Sequence, residues 1–298
     1  MKFVARADTA VVVPVHNRVS STTAFLAELR RSEYPGAMVV VVDDGSTDGT
    51  PELLARLHPD VVVLPGSGEL WWSGAANLGC RFATARGAKV LLLLNNDNIR
   101  ISTNCVSELV RCVEAFGGCA SSVALLENAP ERLRHAGGSI KWPSRGILLR
   151  DEGAIYNPDS GVVQCDWLPG MALAFSSELF TELGGFDERD FPQYRGDTDF
   201  TLRARAKGKP CVVSYACWVT NDPEQSGMNF SSRVSPKSFL NGLFSLKSNY
   251  QLKSTIKFAA RYCPRPFIPI YLTLFYLRYA YATMKTWLPL TPAALVRR

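Results

Sequence analysis

Short unbroken apolar runs alternate along the chain with segments of helical period. Thr9-Ala10-Val11-Val12-Val13, Met38 to Val42, Asp60 to Leu64 and Val90-Leu91-Leu92-Leu93-Leu94 are four such runs. Continuous apolarity, as opposed to alternation, predicts strands covered on both faces, as in a parallel sheet. Between them, Ser20 is a candidate helix cap ahead of Phe25, Leu26 and Leu29, and Tyr34-Pro35-Gly36 stops that helix. Leu53, Leu54 and Leu57 mark a second helix, and a Gly-rich loop with Trp71-Trp72 leads to a third near Ala75 to Arg86. A strand–helix pitch of roughly thirty residues predicts βαβ units around a mainly parallel sheet.

Three of these strands run directly into polar residues. Pro14 ends the first, and Val15-His16-Asn17-Arg18 follows as a loop. Asp43-Asp44-Gly45-Ser46-Thr47-Asp48 follows the second, and Asn95-Asn96-Asp97-Asn98 the fourth. In a parallel sheet all three ends emerge on one edge, where open α/β sheets bind ligands. A short carboxylate on such an edge, as at Asp97, suits a divalent cation held against a diphosphate. The second half is less regular. Residues 130 to 165 mix Pro, Gly and basic residues and predict hairpins and loops. Leu168-Pro169-Gly170 precedes an apolar run from Met171 to Phe175, and Ser176 or Ser177 caps a short helix ending at Gly184-Gly185. Asp197-Thr198-Asp199-Phe200 leads into a further helix.

Composition adds two constraints. The 298 residues are 47% hydrophobic and 20% charged, an ordinary globular balance. None of the eight cysteines forms a CxxC pair, which argues against a zinc ribbon or redox motif, and Cys105, Cys112 and Cys119 at intervals of seven suggest helix or core positions. The opening MKFVARADTAVVVP lacks the longer apolar core of a signal peptide, so a reducing, cytoplasmic setting is expected. No GxGxxG follows the first strand and no GK[ST] occurs, which disfavours a dinucleotide-binding enzyme and a P-loop kinase.

Charge is spread unevenly. The net charge is +6, yet residues 225–298 hold 11 Lys or Arg and no Asp or Glu, leaving the first 224 residues at −5. The expected organisation is therefore a body over 1–225 and a basic, apolar, helical extension over 226–298. Apolar and basic positions alternate from 236 to 260, and Pro264, Pro266 and Pro269 interrupt any helix. Pro266 to Leu277 is apolar for twelve residues, short of the roughly 20 that span a bilayer. Tyr271, Arg278 and Lys285 align at sevens beside Leu274, Phe275, Ala282 and Trp287, the pattern of an interfacial helix. The expected partner of residues 236–290 is an anionic membrane surface, with packing against a partner or the body and a true span as alternatives. Nucleic acid is not expected.

VVVPVHNR, VVVVDDGSTDGT, LLLLNNDN, LPGMALAF, GGFDE and GDTDFTLRARAKG occur in the order seen in family 2 glycosyltransferases, and the resemblance covers about residues 8 to 222. It implies the α/β GT-A fold, with helices flanking the central sheet. It also implies transfer of a sugar, usually with inversion, from a nucleotide diphosphate-sugar to a hydroxyl, with Mg²⁺ or Mn²⁺ as cofactor. By resemblance Asp97 is the metal ligand, while Asn95 stands where the family often has a first Asp and Asn96 lies between them. Asp197 matches the general base, without the Glu that usually precedes it, and Asp199 is the alternative base, an acceptor-orienting group or a helix N-terminal carboxylate. Asp43 or Asp44 meets the N3–H of a uracil or thymine, beside Gly45. Pro14, Val15, His16 and Asn17 line the nucleotide, Arg18 reaches a phosphate or is a surface charge, Asn77 lies near the nucleotide, and Trp72, Trp167 and Gly170 border the donor or acceptor sugar, with a core role for Trp71 or Trp72 as the alternative. The family's late His has no counterpart; Asn221, Asp222 or water takes its place.

The expected acceptor is a lipid-linked glycan or surface polysaccharide at the inner face of the plasma membrane. The NND motif and the tryptophan pair resemble those of rhamnosyltransferase-like family members, which implies a UDP- or dTDP-linked donor, dTDP-rhamnose among them. A non-catalytic subunit of a glycan-assembly complex is the alternative that Asn95 and the missing Glu and His leave open.

Overall fold

The computed structural model describes residues 8–32, 36–221 and 234–287. The chain divides into two compact units: Met1–Ser139 with Ile147–Asp222, and Ile140–Gly146 with Pro223–Arg298. The tip of a hairpin inside the first segment thus belongs to the second unit, a feature unmarked in the sequence.

The first unit is built on a ten-stranded sheet. Strands β1 (Thr9–Val15), β2 (Met38–Asp43), β3 (Val62–Pro65) and β4 (Val90–Leu94) are mutually parallel, in the order β4-β1-β2-β3. Their connections are helices α1 (Val19–Leu29), α2 (Thr50–Leu57) and α3 (Trp71–Ala85). Beyond β4 come β5 (Asn98–Ile101), α4 (Cys105–Phe116), β6 (Cys119–Leu126) and the strands β7 (Ala129–His135), β8 (Gly138–Lys141), β9 (Gly146–Leu149) and β10 (Val162–Gln164). Then follow β11 (Ala172–Ser176), α5 (Ser177–Leu183), α6 (Gly196–Ala206) and β12 (Cys211–Asn221). β11 lies between β4 and β6 and is antiparallel to both. Its beginning, not its end, therefore meets the carboxyl end of β4, with Ala172 paired to Leu94. That reversal brings the Leu168–Gly170 segment to the loop edge.

The β4 run is buried on both faces. Leu91 and Leu93 join one core, with Val12, Val42 and Phe175. Val90, Leu92 and Leu94 join the other, with Val11, Val13 and Leu109. Helix α3 lies so close to the sheet that a Cβ on Gly79 would fall 2.3 Å from Val12 Cγ1.

Several boundaries differ from the sequence expectation. β1 continues through Pro14 to Val15. Pairing with β4 ends at Val12 while pairing with β2 runs on, and the Val15 carbonyl accepts the Asp44 N–H at 2.8 Å. By alternation, the missing N–H of Pro14 falls on the side where no strand remains, so no ladder bond is lost. Helix α3 begins at Trp71, earlier than expected, and both tryptophans lie in its first turn. Arg18 occupies the N-cap position of α1 and Ser20 lies inside the helix. The expected stop at Tyr34-Pro35 falls outside the described residues.

The second unit carries α7 (Pro236–Phe244), α8 (Leu252–Tyr262) and α9 (Ile268–Lys285). Pro264 and Pro266 lie in the break between α8 and α9, whereas Pro269 sits in the first turn of α9, where its missing N–H is harmless. Tyr271 and Tyr279 point inward: Tyr271 meets Trp142 edge to face at 4.8 Å, and Tyr279 stacks on Tyr250 at 4.1 Å. Tyr271 is thus buried, whereas Arg278 on the same line of α9 is exposed, so the expected interfacial stripe does not extend to Tyr271. No described helix is long and apolar enough to cross a membrane.

Candidate active site

The ends of β1, β2 and β4 converge on one edge of the first unit, and the loops there are stitched by side chains. Asn17 and Arg18 both hold left-handed backbone, at φ 59° and 64°. Asn17 is locked there by donating its N–H to Ser46 Oγ at 2.6 Å and accepting the Thr47 N–H on Oδ1 at 2.9 Å. His16 Nδ1 lies 2.6 Å from the Asp44 carbonyl. A carbonyl only accepts, so Nδ1 carries the proton, and Nε2 is left to accept from Asn17 Nδ2 at 3.2 Å. Asp48 bonds both helices that leave this edge: Oδ2 accepts the Val19 N–H of α1 at 2.9 Å, and Oδ1 accepts the Thr50 hydroxyl of α2 at 2.6 Å. These bonds hold the Asp48 carboxyl below its usual range, the Thr50 hydroxyl contributing most. Sequence reasoning passed over Ser46 and Asp48, whose partners sit about thirty residues away.

The two aspartates after β2 have different surroundings. Asp44 uses both oxygens within the protein, accepting the Gly68 N–H at 2.7 Å and the Trp71 N–H at 2.9 Å. It thereby fixes the 66–70 loop and begins α3, and Gly66 and Gly45 are packed against the same turn. Asp43 accepts the Ser46 hydroxyl on Oδ1. Asp43 thus engages one carboxylate oxygen with a side chain of its own loop, where Asp44 engages both with backbone N–H groups. Val15 is 3% exposed, so its side chain is core, not a face for the base to stack on. Pro14 is half-buried, and His16 and Arg18 are exposed at the edge.

Other polar candidates turn inward. Asn77 is 2% exposed and staples α3 to the segment after α5: it accepts the Phe186 N–H at 2.8 Å and donates to the Phe186 carbonyl and to Glu188 Oε2. Its expected nucleotide contact gives way to this staple. Asn96 donates to Thr22 Oγ1 on α1 at 3.0 Å and is likewise buried. Asp199 is fully buried on α6 in an ion pair with Arg203 at 2.8 Å, and Arg203 also binds the Leu183 and Gly185 carbonyls. It is a structural carboxylate, not an acceptor-orienting one. Trp167 is 6% exposed and packed on Gly138, where a Cβ would lie 2.0 Å from its ring, so it is no sugar platform.

What remains at the loop edge is a compact group. Trp72 donates its indole N–H to Asn95 Oδ1 at 3.0 Å. Its ring meets Phe186 edge to face at 5.3 Å and lies against Gly170. Gly170 donates its N–H to Asp197 Oδ2 at 2.7 Å, and Thr198 donates its own to Asp197 Oδ1 at 2.7 Å. Asp197 sits in the first turn of α6. Burial pushes its carboxyl above the ordinary 3.8, against the opposing pull of the Gly170 and Thr198 N–H groups. A carboxylate that is desolvated yet ionisable is the profile of a general base.

Asp97 is half-buried at the end of β4, with Oδ1 shielded from solvent. Among the described residues no three His, Cys, Asp or Glu side chains form a metal-holding group. A lone hard oxygen donor fits a divalent cation that takes the rest of its shell from diphosphate oxygens and water. The Asn221 side chain and Asp222, considered as third ligand, lie outside the described residues.

Known proteins resemble this chain in sequence and in fold. Residues 10–128 match the Glycosyl transferase family 2 model. Residues 10–128 thus carry a domain of this glycosyltransferase family. An uncharacterized protein of Mycobacterium tuberculosis is 27% identical over 201 residues, covering 66% of this chain and 67% of its own length. The N-acetylglucosaminyl-diphospho-decaprenol L-rhamnosyltransferase of the same organism is 26% identical over 205 residues, covering 62% and 66%. A mannosyltransferase of Pyrobaculum calidifontis, solved with GDP-Man and Mn²⁺, superposes with a TM-score of 0.58 at 18% identity, over 97% of this chain and 77% of the other. The fold of this glycosyltransferase is GT-A.

Proposed function

We propose that this glycosyltransferase moves a sugar from a nucleoside diphosphate to a hydroxyl of a polyprenyl-linked glycan, with inversion and with Asp197 as general base. The carrying observation is Asp197 itself: a carboxylate with a raised pKa, held by the Gly170 N–H at the edge where β4 ends. Asp197 takes the proton of the acceptor hydroxyl as that oxygen attacks the anomeric carbon. A single displacement of this kind inverts the centre. Asp43 receives the base of the nucleotide, and the 66–70 loop and Asn95 border its diphosphate. Asp97 would hold Mg²⁺ or Mn²⁺, whose charge offsets that building on the departing diphosphate. The manganese in the mannosyltransferase structure supports this choice of ion. UDP- and dTDP-sugars are the first donors to test, dTDP-rhamnose among them, in keeping with the name of the rhamnosyltransferase relative.

The acceptor class fits the second unit. Ile270, Leu277, Tyr281 and Met284 share one exposed stripe of α9, beside Arg278 and Lys285. Leu240 and Phe244 are exposed on α7, near Lys237. With no acidic residue from 225 to 298, this surface suits anionic lipid at the inner face of the plasma membrane. Vesicle flotation tests it: binding to phosphatidylglycerol but not phosphatidylcholine vesicles is expected, and Leu277→Glu with Met284→Glu should release the protein.

The test of the whole reading is release of nucleoside diphosphate that depends on a polyprenyl diphosphate-linked acceptor. Asp97→Ala and Asp197→Asn should abolish it with the fold intact. Near-normal turnover by Asp197→Asn would overturn the assignment of the base, and acceptor-dependent release by the wild type excludes the non-catalytic alternative.

A further inference from the structure

We propose that Trp72 is a positioning residue that makes Asn95 a hydrogen-bond donor to the diphosphate of the sugar nucleotide; this rests on the nucleotide-sugar reading of the site. An indole N–H can only donate, so the Asn95 atom 3.0 Å from Trp72 Nε1 is the carbonyl oxygen. That settles the orientation of an amide whose two ends otherwise look alike. With Oδ1 turned to the indole, the donors that Asn95 offers a ligand are those of its NH₂.

Trp72 is itself held on three sides. Its backbone N–H donates to Gln193 Oε1 at 3.2 Å, and its ring packs edge to face with Phe186. On the third side the ring fills the space beside Gly170, where a Cβ would come within 2.6 Å of it. A rigid, half-buried indole keeps the amide from turning over. An aspartate at position 95 would present acceptors alone, and together with Asp97 would put two negative charges under a dianionic diphosphate. The amide presents donors and leaves a single carboxylate there. Nucleotide binding should therefore need a divalent cation less than a two-carboxylate motif would.

The test is isothermal titration of UDP, dTDP and GDP, each in EDTA and in Mn²⁺, against five proteins: wild type, Trp72→Phe, Asn95→Ala, the double variant, and Asn95→Asp. The wild type should bind one of these nucleotides measurably in EDTA. Trp72→Phe keeps a ring but loses the donor, and should weaken that binding roughly 5-fold, as should Asn95→Ala. The double variant should be no weaker than the worse single one, because Trp72 acts through Asn95. A merely structural tryptophan would instead give additive losses. Asn95→Asp should lose binding in EDTA and regain it with Mn²⁺. Unchanged binding by Trp72→Phe, or additive losses, overturns the proposal while leaving the site reading intact. If the wild type binds none of the three nucleotides, the site reading fails and takes this proposal with it. Should Trp72→Phe fail to fold, the Asn95→Asp response decides alone, and an unaltered metal dependence there overturns the proposal.

Discussion

The Gly170 N–H and Asp197 Oδ2 are 2.7 Å apart, and a Cβ on Gly170 would meet the Trp72 ring at 2.6 Å and the Asp197 Cβ at 3.1 Å. The glycine is required by close approach on both sides. Gly170→Ala should push the base and the indole apart, lowering kcat by about 10- to 100-fold, since displacements near 1 Å cost this much. Nucleotide affinity should change far less. Steady-state kinetics beside nucleotide titration separates the two.

The pH dependence of turnover follows from the Asp197 environment. Burial raises its carboxyl above 3.8, so the base becomes competent only as pH climbs through that raised value. The acid limb of kcat/KM should lie above 3.8 and vanish, with nearly all activity, in Asp197→Asn. The sign for stability is opposite. With the folded pKa above the unfolded one, stability is fully present below 3.8 and lost as pH rises through the folded value. Asp197→Asn should thus melt at or above the wild-type temperature at pH 7, which thermal unfolding reads directly.

His135 sets a second pH response. It is 1% exposed, and neither ring nitrogen has a hydrogen-bond partner among the described residues. Burial pushes its pKa from 6.5 down to about 3. The unfolded chain takes up a proton below pH 6.5 while the folded chain resists until about pH 3, so stability falls across that window. At pH 5 the loss should be about 2 kcal/mol. Urea midpoints at pH 7 and pH 5 should differ for the wild type and much less for His135→Leu.

Asp48→Ala removes bonds to the first turns of α1 and α2. A lost cap costs about 1 kcal/mol, and the exposure of Asp48 keeps the total modest. Because its pKa is lowered in the folded chain, this stabilisation is present above 3.8 and lost as pH falls through the folded value. Denaturant titration at pH 7 and pH 3 should show wild type and variant converging at the lower pH.

The fold was legible where burial alone decides the residue type. Leu91 to Leu94 are buried to 0% exposure, and an unbroken apolar run states that condition directly. The candidate site was legible only in part. Asp97, Asp197 and Asn95 stand in motifs at element ends, but so do Asn96 and Asp199, and these, like Asn77 in the motif within α3, bind inward, to Thr22, Arg203 and Phe186 respectively. Motif position does not distinguish a polar group facing a ligand from one that staples two elements; the partner's identity does, and it lies elsewhere in the chain. Trp71 shows the same limit. Its left-handed φ of 55° and early helix start depend on an Asp44 oxygen twenty-seven residues upstream. Pro14 gave a strand end by local rule, and only the staggered lengths of its two neighbouring strands allow β1 to continue.

The Asp44 carboxylate has a consequence for recognition speed. By gripping the N–H groups of Gly68 and Trp71 it templates the 66–70 loop from within the chain. On the proposed function, a loop shaped in advance loses little conformational entropy when a nucleotide arrives. Association can then proceed as the docking of two preformed surfaces, without a slow rearrangement ahead of capture.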